Sequence, residues 1–124
     1  MAISVKTFKV KAEGGDVIVR LQAFNALPIE GVISNFAREA IPAEPDDEPT
    51  QTTFRLPAES RRYVLYGVIT PTKRVWGSPK YERTILQDDQ PVDGKTKNPA
   101  RITTRKISAG EYVGPPEVIS IETE

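Results

Sequence analysis

The residues best placed to do chemistry lie between Thr72 and Arg83, where Lys73, Arg74, Lys80 and Arg83 interleave with Trp76 and Tyr81. Aromatic rings on a β-surface stack on bases or sugar rings, and neighbouring cations hold phosphates. Trp76 and Tyr81 are therefore the candidate contact pair for a glycan or a single nucleic-acid strand. The competing reading is structural: both aromatics fill a core or its rim, and the charges form the solvated face. A second signal is segregated charge. Residues 39–59 carry Glu39, Glu44, Asp46, Asp47, Glu48 and Glu59 against Arg55 alone. Residues 95–106 carry Lys95, Lys97, Arg101, Arg105 and Lys106 with no acid. Opposed charges of this kind set register and partner choice more than stability. Asp46, Asp47 and Glu48 are thus expected to meet Arg101, Arg105 and Lys106, either within one domain or head to tail between copies.

Other chemistries lack their side chains. The chain has no histidine and no cysteine, which removes the usual general base near neutral pH, the usual zinc ligands and the thiolate nucleophile. Asp88, Asp89 and Asp93 cluster with Gly94, but the alternating ligand spacing and terminal glutamate of a calcium loop are missing. Gly77-Ser78-Pro79 is not a nucleophile elbow. Gly14-Gly15-Asp16 and Asp93-Gly94-Lys95-Thr96 lack the glycine spacing and following helix of a phosphate loop. No catalytic residue, cofactor or metal site is expected, and the protein reads as a non-enzyme.

Lys+Arg and Asp+Glu balance at 17 each, so the basic excess of a duplex-binding or membrane-surface protein is absent. No apolar run is long enough to span a bilayer, and no signal peptide is visible after Met1. Synthesis inside the cell without Sec export, virion assembly included, is the expectation.

The elements that must position these residues are short. Eleven prolines exclude long helices. Val17, Val19, Leu21 and Ala23 share one face of a strand over 17–24. Tyr63, Leu65, Gly67 and Ile69 share one face of a second over 63–70, with Val64, Tyr66 and Val68 opposite. Apolar residues on both sides mark that strand as central. Thr52, Phe54 and Leu56 alternate, as do Tyr81, Arg83 and Ile85. Gly14-Gly15-Asp16 reads as a hairpin turn. A phase slip between Ile3-Ser4-Val5 and Phe8–Ala12 predicts a bulge near Thr7. Arg101–Ile107 reads as an exposed edge strand. Residues 39–50 read as a flexible, acidic, proline-rich loop, with one helical turn at most over 36–40. The sum is one all-β domain over 1–124: an Ig-like or transthyretin-like sandwich of seven to nine short strands, or else a small OB-like barrel.

Val19–Val32, with its strand, Leu27-Pro28-Ile29-Glu30-Gly31 turn and second strand, resembles carboxypeptidase-regulatory-like and related transthyretin-like sandwiches. Thr53-Phe54-Arg55-Leu56-Pro57 followed by Arg62-Tyr63-Val64-Leu65 resembles a later hairpin of those domains. Arg62 stands where that family usually has glycine, and the likeness covers about residues 17–69. It implies a sandwich used in adhesive, structural or accessory roles, and no catalytic residues.

The expected function is a non-catalytic structural or protein-interaction module, a subunit of a larger assembly such as a virion, fibre or secretion-type particle. Its partners would be proteins, copies of itself included. The alternatives are a carbohydrate-binding module and, after it, a single-stranded nucleic-acid binder.

Overall fold

The computed structural model describes residues 5–45, 48–94, 96–108 and 110–124. Among them the chain forms eleven β-strands and no helix. They are β1 (Val5–Val10), β2 (Val17–Ala23), β3 (Ile29–Asn35), β4 (Gln51–Leu56), β5 (Arg61–Ile69) and β6 (Lys80–Gln87), then β7 (Gln90–Pro91), β8 (Ala100–Thr103), β9 (Arg105–Ser108), β10 (Glu111–Val113) and β11 (Glu117–Thr123). Arg101–Ile107, which reads as one strand, is divided into β8 and β9, and the two-residue β7 lies in what reads as a turn, so the number exceeds the seven to nine expected. Tyr112-Val113 and Val118–Ile121 both pair with β5 and are separated by Gly114-Pro115-Pro116, because proline has no N–H to offer the ladder.

The strands make two sheets. The six-stranded sheet has β5 at its centre, with β3 on one side. On the other side β11 and β10 lie end to end, flanked by β1 and β9 respectively. The five-stranded sheet runs β4–β2–β6, with β7 and β8 end to end beyond β6. Strands β1 to β6 alternate between the two sheets. Gly14-Gly15-Asp16 is therefore a crossover rather than a hairpin. Its backbone bonds to side chains instead of a ladder: Lys11 N donates to Gln87 Oε1 at 2.9 Å, and Gln87 Nε2 donates to the carbonyls of Lys11 and Gly15 at 2.8 and 2.9 Å. The Pro57–Ser60 turn likewise passes from one sheet to the other.

The eight residues whose same-face alternation marks a core — Val17, Val19, Leu21, Phe54, Leu56, Tyr63, Leu65 and Ile69 — are all buried between the sheets. Phe8, Tyr81, Ile85, Ile119 and Ile121 join them. Each large apolar side chain removed from water contributes about 1.5–3 kcal/mol. Close sheet approach needs small residues at two points. A Cβ at Gly31 would sit 2.6 Å from the Phe54 ring, and one at Gly114 would collide with the Tyr81 hydroxyl.

The core also holds an ion pair. Arg83 of β6 and Glu117 of β11 are each 1% exposed and lie 3.2 Å apart, joining the sheets. Arg83 also donates to the Lys97 carbonyl at 3.1 Å and lies 5.2 Å from the centre of the Phe8 ring, while Lys6 Nζ reaches Glu117 at 2.6 Å. Such a cluster is strongly destabilising to break, because a partner left alone is a desolvated charge.

The two long edges of the sandwich are closed differently. At one, β8 runs into β9 through Thr104, which changes sheets and anchors its N–H and hydroxyl to the Pro79 carbonyl at 3.1 and 2.6 Å. At the other, residues 36–45 and 48–50 strap the outer edges of β3 and β4. This segment lacks regular strand or helix, as expected, but it is tied down. Ile41 N donates to Ile33 O, Glu44 N to Thr53 O, and Pro49 O accepts from Ile29 N. Ile41 packs against the core. The unpaired groups of two edge strands account for the anchoring. The expected helical turn over 36–40 is instead a turn in which Asn35 Oδ1 accepts from the N–H groups of Ala37 and Glu39, with Arg38 at φ 64°.

Candidate interaction surface

Central strand β5 carries apolar side chains on both faces, and only one face is covered. Tyr63, Leu65, Gly67 and Ile69 point into the sandwich. Val64, Tyr66 and Val68 point out, and no second layer of described residues lies over them. Pairing carries the pattern across the sheet, because directly opposed residues share a face. One row reads Ser34–Val64–Val118–Val5 across β3, β5, β11 and β1. The next reads Val32–Tyr66. A third reads Glu30–Val68–Val113–Arg105 across β3, β5, β10 and β9. Val5 and Val32 are 40% and 39% exposed, and Val64, Tyr66, Val68, Val113 and Val118 are half-buried. β1 pairs without interruption from Val5 to Val10, so no bulge falls near Thr7. The phase slip arises because Val5 belongs to this outer face, whereas Phe8 and Val10 belong to the core.

At the β9 side the face dips into a depression of about 380 Å³ lined by Arg105, Ile107, Val113, Pro115 and Pro116, with Thr103 and Gly114. Ile107 is 57% exposed. The interrupted pairing between β10 and β11 creates this depression, since the two prolines carry the chain away from β5.

The residues singled out by sequence fall in different places. Trp76 is 86% exposed on the loop after β5, with the Arg74 guanidinium 4.9 Å from its ring centre. Tyr81 is not its neighbour on a surface. It is 0% exposed in the core, where its hydroxyl accepts a 3.1 Å bond from Gly67 N. Burial pushes its pKa up to about 12, against the opposing effect of that bond. Burial also raises Tyr63. Tyr81 is therefore removed from the contact set, and Arg83 leaves the basic face for the buried pair. The cause is the same for both: odd-numbered residues of β6 face inward.

Arg101, Arg105 and Lys106 lie exposed on the β8–β9 edge, as an edge strand requires. Arg101 stacks 4.7 Å from the Phe24 ring centre. Lys106, Lys73 and Arg74 share a depression of about 270 Å³. On the acidic side Glu48 is exposed, and Asp46 and Asp47 lie outside the described residues. Glu44 bonds Arg55 Nε at 2.9 Å, with Asp16 3.5 Å from the same guanidinium, and this raises the pKa of Arg55. Among the described residues the acidic strap and the basic strand occupy opposite edges of the sandwich, β3/β4 against β8/β9, and no ion pair joins Glu39, Glu44, Glu48 or Glu59 to Arg101, Arg105 or Lys106.

No group of three or more acids, histidines or cysteines among the described residues is placed to hold a metal. No helix among them is long and apolar enough to cross a membrane. Compared with models of known families, with curated proteins and with solved structures, the chain matches none of them.

Sequence reasoning missed the outer face and the ion pair. A signal for the first was present: Val64, Tyr66 and Val68 alternate against the inward set. That pattern reads equally as a strand covered on both sides.

Proposed function

We propose that this chain is a non-catalytic protein-interaction module, a subunit of a larger assembly such as a virion, fibre or secretion-type particle, whose partners include copies of itself. The supporting observation is the outer face of the six-stranded sheet. Val5, Val32, Val64, Tyr66, Val68, Val113 and Val118 form one contiguous apolar surface on paired strands. Contiguous exposed apolar area of this kind marks contact with another macromolecule. Segregated edge charges add direction to such contacts.

Sedimentation velocity over a concentration series tests this. Species heavier than the monomer, growing with concentration, support it. A monomer at every concentration overturns it.

A second reading rests on Trp76. Its indole is open to solvent beside Arg74, and Lys73 and Lys106 flank the adjoining depression. Three cations beside a free aromatic suit an anionic polymer, a single nucleic-acid strand, better than a neutral glycan. Oligonucleotide binding that weakens with salt and is lost in Trp76→Ala is the expected result under that reading.

A further inference from the structure

We infer that the outer face of the six-stranded sheet pairs with the same face of a second copy, about a two-fold axis running parallel to the strands between β5 and the β10–β11 line. This rests on the interaction-module reading above and names its partner. The order of residues along the rows is self-complementary. Glu30–Val68–Val113–Arg105 runs acid, apolar, apolar, base across four adjacent strands. Rotation about the stated axis exchanges β3 with β9 and β5 with β10. It sets Glu30 of each copy opposite Arg105 of the other, and Val68 opposite Val113. In the second row it sets Val64 opposite Val118. In the charged row apolar meets apolar and acid meets base at both symmetry-related positions, while at the ends of the second row Ser34 meets Val5. A two-fold interface requires this kind of self-complementarity.

Shape follows the same exchange. Val32, 39% exposed, stands on β3 in the row beside Glu30. The depression of about 380 Å³ lies at β9 beside Arg105. Strands are spaced about 4.8 Å apart, so both features lie about 7 Å from the axis, on opposite sides. The Val32 side chain of one copy thus comes over the Gly114 and Pro115 end of the depression in the other. Two sheets packed face to face sit about 10 Å apart with their strands about 30° from aligned, which the long Glu30 and Arg105 side chains can span.

Area sets the strength. Four strands and three rows cover about 400 Å² of face per copy, against about 800 Å² per partner in an interface of standard size. The dimer is therefore expected to be weak, with a dissociation constant in the micromolar range or above. The charges are exposed, so they fix geometry more than they add affinity, and salt weakens them.

Sedimentation equilibrium on the full chain with Glu30→Arg, Arg105→Glu and the double variant tests the inference. Both positions are exposed, so the fold is expected to persist, and circular dichroism checks that it does. Each single variant brings two like-charged pairs together and is expected to weaken association at least about tenfold, roughly 1.4 kcal/mol. The double variant restores opposed charges and is expected to return to within about threefold of the original. Association unchanged in both singles, or equally weak in the double variant, overturns this pairing and leaves the assembly reading intact. An original protein that never associates overturns both.

Discussion

On the outside of the five-stranded sheet the rows across β4, β2 and β6 read Thr53–Arg20–Thr84 and Gln51–Gln22–Glu82, with apolar residues confined to a third, Arg55–Ile18–Leu86. On the outside of the six-stranded sheet they read Ser34–Val64–Val118–Val5 and Val32–Tyr66. Both sheets bury comparable apolar inner faces, so the demands of the core are met equally on each. Strand propensity does not explain the difference, because Thr53 and Thr84 supply β-branched side chains on the polar face without exposing much apolar area. The outward valines of the six-stranded sheet lie outside the core that closes the sandwich.

The largest expected effect comes from the buried pair between the sheets. Arg83→Met leaves Glu117 in the core with Lys6 as its remaining cation, and is expected to cost about 3–5 kcal/mol in urea unfolding. Arg55→Met on the polar outer face loses contacts to Glu44 and Asp16. Those contacts are solvent-exposed, so the substitution is expected to leave the unfolding midpoint almost unchanged. Equal costs would mean that inside and outside are not distinguished by burial.

A sharper version uses neighbours on one strand. Leu65→Ala opens a cavity in the core and is expected to cost about 2–5 kcal/mol. Val64→Thr, one residue earlier and facing out, is expected to stay within about 1 kcal/mol of the original. A Val64→Thr cost matching that of Leu65→Ala would show that the outer face is already covered within the monomer.

These pairs also show what the sequence made legible. The inward set was legible because period-two alternation in strands of six to nine residues has one solution when one face must be dry. The edge character of Arg101–Ile107 was legible from its lack of apolar area. Arg83 was misleading because it occupies an inward slot between Tyr81 and Ile85, and alternation alone cannot say whether a charge there is buried or marks a solvated face. Its partner Glu117 lies 34 positions away, in a strand whose neighbours are fixed only by topology. Connections were illegible for a related reason: a glycine-rich turn specifies a reversal, not which sheet receives the next strand.

Smaller again is the effect of alkali. Tyr81 titrates near 12 in the fold and near 10 in the unfolded chain. Between those values the unfolded state has lost its proton and the folded state has kept it. The contribution is thus complete below pH 10 and falls by at most about 1.4 kcal/mol per pH unit up to pH 12. Tyr63, also raised, adds a lesser slope of the same sign. Tyr81→Phe is expected to flatten most of this decline in pH-dependent unfolding.

The measurement that bears most directly on the outer face is sedimentation equilibrium of matched double variants. Val64→Thr with Val118→Thr removes the apolar centre of the six-stranded face, while Gln22→Thr with Glu82→Thr alters the five-stranded face by as many residues. The expected result is concentration-dependent association of the original protein and of the Gln22/Glu82 variant, and a monomer for the Val64/Val118 variant at the same concentrations. Association of the Val64/Val118 variant as tight as that of the original would contradict the assignment of this face as the interface.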